Sequence, residues 1–485
     1  MRITNIDDKP RDECGVFGIF DTIAVSDVAA TYAYYALYSL QHRGQESCGI
    51  CVGDDGVMKV HKGLGLVPEV FTPKVLEALG PGNMSIGHVR YSTTGAPQLE
   101  NAQPILVHHV KGSMAIAHNG NLTNADELRE ELELLGGIFH TTSDTEVIAY
   151  TITRARLTEP SIEKAVTAAM YSLKGAYSLV IMSPRKLIAV RDPQGFRPLC
   201  MGKLGNSVIF ASESCALTAL GAEFVRDVEP GEIIVAAPEG VTSIKTHCGG
   251  KKRLCVFEYV YIARPDSVIE GESVHTARRR AGALLARSHP VDADVVIGVP
   301  DSGLEAALGY AEESGIPYGI GITKNRYIGR TFIQPTQSKR IESVHIKLAP
   351  LGATLEGKRV VVVEDSIVRG TSMRHILNEL RLAGAKEIHM RVASPPVRHP
   401  CYFGIDIDNR EALIAHQLPI VDDIAKEIDA DTIGYLSIED VRRIAEVENA
   451  DFCVGCFSGT YPIEPPQDTS KRKFERKLSE KPSKE

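Results

Sequence analysis

The chain has 485 residues, and at roughly 100 to 200 residues per domain that length points to two domains or three, with two the economical reading. Hydrophobic residues make up 43% and charged residues 24%, a balance that excludes wholesale disorder and provides for a sizeable core. The formal net charge of -8 excludes the diffuse basic field that draws nucleic acid, and no apolar run approaches the ~20 residues needed to span a bilayer.

Residues 1–13, MRITNIDDKPRDE, lack the apolar core of a signal peptide. The chain is therefore expected in the cytoplasm, with its ten cysteines reduced, metal-bound or chemically active rather than paired. The stretch RDECGVFGIFD sets Cys14 directly ahead of an alternating apolar run. Candidate strands then follow at 15–20, 85–92, 114–118, 177–182, 186–190 and 207–212, each with two-residue alternation. Asn124 with Glu127, and Ser143 with Glu146, have the spacing of helix capping boxes. This part predicts stacked antiparallel sheets with helices outside.

GGKKR, 249–253, reads as a connector. Beyond about residue 270 the rhythm becomes helix (276–288), strand (293–300), helix (303–314), strand (359–365), helix (371–384) and strand (387–394). Continuous apolar strands separated by helices predict a parallel sheet covered on both faces. Residues 466–485 are charged and almost free of apolar side chains, the composition of a disordered tail.

The most informative chemical stretch is VVVVEDSIVRGTS, 360–372. An apolar strand delivers Glu364 and Asp365 at its C-terminal end, where ligands of open parallel sheets bind. The following small, hydroxyl-rich turn, through Ser366, Arg369, Gly370, Thr371 and Ser372, opens a helix and suits a phosphate. GATLEGKR, 352–359, mimics a nucleotide-triphosphatase phosphate loop, but Arg359 replaces the required hydroxyl and the motif precedes a strand where it should follow one. The stretch 360–372 resembles the phosphoribosyl pyrophosphate (PRPP) motif of type I phosphoribosyltransferases, whose first acid is more often Asp than the Glu364 found here. GVPDSG, 298–303, resembles the family's pyrophosphate loop, which would place Asp301 on PRPP and Ser302 near Mg²⁺ with Glu364 and Asp365. KNRYIGRTFIQPTQ, 324–337, resembles the flexible loop of glutamine PRPP amidotransferases and offers Lys324, Arg326 and Arg330 to PRPP.

That resemblance calls for an amine donor and returns attention to Cys14. With the bond before it cut, Cys14 would carry a thiol nucleophile and an α-amine titrating near ~7.7 to 8.0, so one residue would hold nucleophile and base. AHNGNLTNADEL, 117–128, resembles the oxyanion-hole segment of N-terminal-nucleophile (Ntn) amidotransferases, which assigns that role to the Asn119 side chain and the Gly120 N–H. GHVRYSTTG, 87–95, resembles their substrate segment, implying Arg90 on the glutamine carboxylate, and TTSDTEV offers Asp144 for the α-ammonium. LQHRGQESCGI, 40–50, is a further family segment, departing at Cys48, which reads as packing. Cys51, Cys200 and Cys215 read the same way.

Cys453 and Cys456 form a C-x-x-C, and Cys255 and Cys401 stand singly. Four thiolates hold zinc or an iron–sulfur cluster, and spacing does not decide between them. Their contexts resemble the cluster ligands of the iron–sulfur, propeptide-bearing branch of the family, with Cys248 a nearby competitor for Cys255.

The resemblance runs from Cys14 to about residue 465. It implies a propeptide at 1–13, an Ntn-hydrolase αββα domain at 14–245, a type I phosphoribosyltransferase domain at 246–465 and a tail at 466–485. It further implies a [4Fe-4S] cluster, Mg²⁺, glutamine and PRPP as substrates, purine nucleotides (AMP, GMP, ADP, GDP) as feedback inhibitors, and a homotetramer or homodimer. Another Ntn amidotransferase, or a PRPP-sensing regulator without chemistry, stands as the alternative.

Overall fold

The computed structural model describes residues 14–23, 25, 28–92, 95, 97–325, 348–407 and 409–466. The proposed leader, the tail from 467 onward, and Arg326 and Arg330 lie outside the described residues.

The first half stacks two antiparallel sheets. One contains β1 (Gly15–Asp21), β2 (Ser47–Asp54), β3 (Val57–Leu64), β4 (Met84–Arg90), β9 (Cys200–Leu204), β10 (Ser207–Ala211) and β11 (Glu223–Asp227), in the order β11-β9-β10-β1-β4-β2-β3. The other contains β5 (Ile105–His109), β6 (Gly112–Leu122), β7 (Gly175–Met182), β8 (Leu187–Arg191), β12 (Ile233–Ala237) and β13 (Gly240–Ile244), in the order β13-β12-β8-β7-β6-β5. Alternation places Val16, Phe20, Ile86, Ala115, Ala117, Val180 and Ala189 in one buried layer between the sheets. The opposite faces pack against helices: Phe17, Ile19 and Ile50 meet Ala33, Ala36 and Leu37 of helix Ala29–Ser39. Ile116, Leu179 and Ile181 meet Ile148 and Ile152 of helix Asp144–Thr158. This four-layer arrangement is the one expected.

The capping boxes do not form. Ser143 does cap, its Oγ accepting the Thr145 N–H at 3.2 Å, but Glu146 accepts the N–H groups of His140 and Thr141 instead of closing back on Ser143. Asn124 makes no side-chain cap; its amide bridges Lys174 N–H and the Ser172 carbonyl, tying the helix start to the loop before β7.

In the second half, after the two-residue strands β14 (Val268–Ile269) and β15 (Glu272–Ser273), a parallel sheet runs β16-β19-β20-β21. Its members are β16 (Val295–Gly298), β19 (Arg359–Glu364), β20 (Glu387–Val392) and β21 (Thr432–Tyr435). β19 is central, pairing Val360 with both Val295 and Ile388. Its valines alternate faces: Val361 and Val363 pack toward helices Val274–Ser288 and Leu304–Ser314, and Val360 and Val362 toward helix Thr371–Leu382. Burial on both sides explains an unbroken apolar run where the first half alternates. The hairpin β17 (Ile322–Lys324) and β18 (Leu348–Pro350) brackets residues 326–347.

Candidate active sites

Cys14 immediately precedes β1, whose first residue, Gly15, pairs with Val89 of β4. Its thiol is buried and donates to the Tyr91 carbonyl at 3.4 Å, one residue past Arg90. Arg90 is buried too, with Nη1 donating to Ser92 Oγ at 2.9 Å and Nη2 to the Gly95 carbonyl at 3.3 Å. Across the sandwich, His88 lies 2.9 Å from the His118 carbonyl through Nε2. Burial holds His88 down to about 3, so it is neutral and that Nε2 is the donor. This bond joins β4 to β6 just before Arg90 and Asn119.

Asn119 is fully buried, and neither its Oδ1 nor its Nδ2 has a hydrogen-bond partner among the described residues. Gly120 follows at φ 141°, where an added Cβ would stand 2.1 Å from the Ala176 carbonyl oxygen, so only glycine fits. Asp144 opens its helix with Oδ2 accepting the Leu122 N–H at 3.0 Å and Oδ1 lying 3.7 Å from His118 Nδ1. Thiol, guanidinium, amide and carboxylate thus come from four chain segments tied at one end of the sandwich.

In the second half, Glu364 ends β19 and Asp365 follows it, both buried. Asp365 accepts from Ser302 Oγ through Oδ2 and from Ser366 Oγ at 2.6 Å through Oδ1, and its N–H donates to Glu364 Oε1 at 3.0 Å. The two glycine-bounded strand ends therefore meet. Lys324 pairs with the exposed Asp301 at their rim. Gly370 has φ 83°, and a Cβ there would stand 2.4 Å from Ile414 Cδ1; it turns the chain into helix Thr371–Leu382, with Thr371 and Ser372 in its first turn. Arg369 is half-buried beside it. A hydroxyl and two carboxylates form a hard oxygen donor set that fits Mg²⁺. GATLEGKR forms the short helix Gly352–Leu355 ahead of β19, so it is no phosphate loop.

The four singled-out cysteines converge. Cys255 and Cys453 lie opposite each other in an isolated parallel bridge, and Cys255, Cys401 and Cys456 share one apolar cluster. The Cys456 thiol is pushed well up by burial and then by Cys401, Cys255 and Cys453, and burial lifts Cys453 to about 12. Among the described residues no group of three or more His, Cys, Asp and Glu is placed to hold a single metal ion. Cys248 lies elsewhere, facing Glu229, Glu232 and Lys245. Burial raises Cys48 and Cys51 to about 12, in keeping with inert packing thiols.

Sequence reasoning gave no role to Arg43 and missed Arg197, Glu213 and Glu258, all fully buried where the halves meet. Arg43 lay within a flagged segment, but nothing in VFEYV marks Glu258, because its partners are remote in sequence.

A family model described as the glutamine amidotransferase domain matches residues 88–219, and one described as the phosphoribosyl transferase domain matches residues 276–396. The amidophosphoribosyltransferase of Methanocaldococcus jannaschii is 48% identical over 466 residues, 93% of this chain and 98% of that one. That of Bacillus subtilis is 46% identical over 94% of this chain and 96% of its own. The chain belongs to the amidophosphoribosyltransferase family. A solved B. subtilis glutamine PRPP amidotransferase, complexed with ADP and GMP, superposes with a TM-score of 0.87 at 46% identity, over 94% of this chain and 99% of that one. A structure described as the allosteric regulatory enzyme of purine biosynthesis gives 0.88 at the same identity, over 94% and 98% of the two chains. Membership makes the chain a glycosyltransferase with a glutamine amidotransferase half, and similarity across both halves sets aside the alternatives of an unrelated Ntn amidotransferase or a catalytically silent PRPP sensor. Among the described residues no helix is long and apolar enough to cross a membrane.

Proposed function

We propose that the family's reaction, release of ammonia from glutamine and its transfer to C1 of PRPP, is carried out here by the residues named above. Arg90 would take the glutamine α-carboxylate in a bidentate grip and Asp144 the α-ammonium. The Cys14 thiol gives its proton to its own α-amine and attacks the amide carbon. Negative charge then develops on the amide oxygen, where the Asn119 side chain and the Gly120 N–H donate, each worth on the order of 3 kcal/mol. Ammonia leaves, and water releases glutamate from the thioester. The observation that carries this reading is the fully buried Asn119 amide, whose polar atoms have no partner among the described residues, an arrangement that gains its hydrogen bond when an oxyanion arrives.

In the second half, Asp301, Lys324, Arg326, Arg330, Glu364, Asp365 and the turn Ser366–Ser372 would bind PRPP, and ammonia would displace pyrophosphate at C1 to give 5-phosphoribosylamine. Mg²⁺ held by Ser302, Glu364 and Asp365 would offset the charge of the departing pyrophosphate. The exposed side of the sheet's C-terminal end suits that ligand, as in other open parallel sheets.

The same reading places the chain in the iron–sulfur, propeptide-bearing branch, with removal of residues 1–13 freeing the Cys14 amine and Cys255, Cys401, Cys453 and Cys456 holding a [4Fe-4S] cluster. The convergence of four thiols from three chain segments supports it. Feedback by AMP, GMP, ADP or GDP, a cytoplasmic setting and a homotetramer or homodimer complete it; the relative solved with ADP and GMP supports the nucleotide part.

Anaerobically purified protein given glutamine tests the reading. Glutamate release should rise with PRPP and Mg²⁺ and match pyrophosphate. Cys14→Ala should abolish it while turnover with added ammonia survives, and an intact mass beginning at Cys14 should mark the active form. Glutamate release by the Cys14→Ala protein would sink the assignment.

A further inference from the structure

The main chain of Cys14 is held by Arg43, and Arg43 is held in turn by Glu258 of the second half. Arg43, fully buried at the end of a 3₁₀ turn (Gln41–Arg43), donates from Nε to the Cys14 carbonyl oxygen at 3.0 Å. Its two terminal nitrogens grip Glu258, Nη1 to Oε2 at 3.0 Å and Nη2 to Oε1 at 2.9 Å, and Nη1 also reaches Glu213 Oε1 at 2.5 Å. A guanidinium is planar, so once both Nη atoms are fixed by one carboxylate the direction of Nε–H is fixed as well. Here that direction is the main chain of Cys14.

Glu258 is itself rigidly mounted. It opens a single π-helical turn, Glu258–Ile262, closed by the Ala263 N–H donating to the Glu258 carbonyl at 3.0 Å. Tyr259 and Val260 of that turn lie in the core around helix Val274–Ser288, and Arg278 of the helix donates to the Tyr259 carbonyl at 2.9 Å. Arg197 completes the square: Nη1 lies 3.3 Å from Glu258 Oε1, and Nε and Nη2 donate to the Phe403 carbonyl at 3.0 and 2.8 Å. Two buried cations and two buried anions balance, the condition under which such groups persist in a core.

We infer that Glu258 is a positioning residue for glutamine hydrolysis: through Arg43 it sets the main chain of Cys14, and so the thiol and α-amine that leave from the same Cα. The inference rests on Cys14 being the nucleophile, as proposed above. Arg90 and Asp144, the groups assigned to glutamine itself, are held by other partners, Ser92 and Gly95 for the one and the Leu122 N–H for the other, so loosening the network should spare substrate binding and slow the attack.

The test uses the full mature protein as wild type, Glu258→Gln, Arg43→Lys and the double variant. Glu258→Gln keeps one acceptor and turns the other toward an Nη–H as a donor, so the fork opens. Arg43→Lys keeps the charge and removes Nε. Glutamate release gives kcat and KM separately, alkylation of Cys14 by the glutamine analogue 6-diazo-5-oxo-norleucine is followed by mass spectrometry, and pyrophosphate release from PRPP and added ammonia reports the second half in each sample.

Each single variant should lower kcat and the alkylation rate by about tenfold or more, with KM and the ammonia-dependent rate within about threefold. The double variant should be no worse than the poorer single, because both act on one path. Wild-type kcat in Glu258→Gln, a loss carried by KM alone, or additive losses would overturn the inference. Should Glu258→Gln lose the ammonia-dependent rate as well, Arg43→Lys decides: normal kcat there overturns it. A wild-type enzyme that neither hydrolyses glutamine nor is alkylated at Cys14 would bring down the Cys14 assignment and this inference together, whereas an active wild type with unaffected variants brings down only the latter.

Discussion

A buried amide with no partner is expensive, costing about 1–3 kcal/mol in desolvation, and the Asn119 side chain has none among the described residues. Such a group is stabilised only when the substrate's oxygen becomes charged, which is the differential binding that catalysis requires. Asn119→Ala should therefore lower kcat for glutamate release by on the order of 10²–10³, with little change in KM. The same substitution should leave the melting temperature unchanged or raise it, since it removes an unpaired polar group. A marked fall in melting temperature together with normal kcat would show that the amide is structural. At this scale Cys14, Arg90, Asn119, Asp144, Glu364 and Asp365 each stand out as candidates through the short stretch they sit in, by its pattern or its likeness to a family segment. Arg43 and Glu258 do not, because their pairing spans 215 positions and each looks ordinary where it stands.

Among elements, those with strong alternation or a continuous apolar run were placed from sequence to within a few residues, as β1, β7, β19 and helix Thr371–Leu382 show. β3 was not anticipated: it is an edge strand, VMKVHKGL, whose half-exposed pattern and two lysines blunt the alternation. β2 is buried on both faces but carries two glycines and two cysteines, which weaken any strand signal. The thiol group is a similar case, since Cys255 and Cys453 are brought side by side by a bridge between segments far apart in the chain. Anaerobically isolated protein should contain iron and acid-labile sulfide in equal amounts, near four of each per chain as a [4Fe-4S] centre requires, and Cys456→Ser should lose most of both. Zinc without sulfide would assign the thiols to a structural zinc site instead.

For the whole molecule, the halves are joined by buried charge as well as by the connector. Beside the Arg43 network lies a second one, in which Glu270 pairs with Arg191 and with Lys252, the latter at 2.9 Å. Asp227 faces it, and burial followed by the nearby Glu270 charge pushes its carboxyl up to about 7 from 3.8, against the pull of Arg191 and Lys252. A carboxyl raised in the folded state binds its proton more tightly there than in the unfolded chain. The stability it contributes is complete below 3.8 and is lost as pH rises through about 7. Asp227→Asn should thus gain in melting temperature over the wild type on going from about pH 6 to about pH 8; a constant difference would mean the carboxyl is ionised throughout. The two-part architecture could be read from the change in strand rhythm near residue 270, but the contacts across the boundary could not, because they depend on how two finished surfaces meet. Gly404 lies beside the strand that carries Gly120: an added Cβ there would stand 3.4 Å from the Gly120 Cα and carbonyl carbon and 3.5 Å from Arg197 Nε. One residue on from Gly120, the Asn121 Nδ2 donates to the Tyr402 carbonyl at 3.0 Å, and Arg197 holds the Phe403 carbonyl. The seam is thus stitched to the strand that carries the Asn119–Gly120 peptide, so a displacement of residues 402–404 is handed to the first half through hydrogen bonds, a coupling by tether.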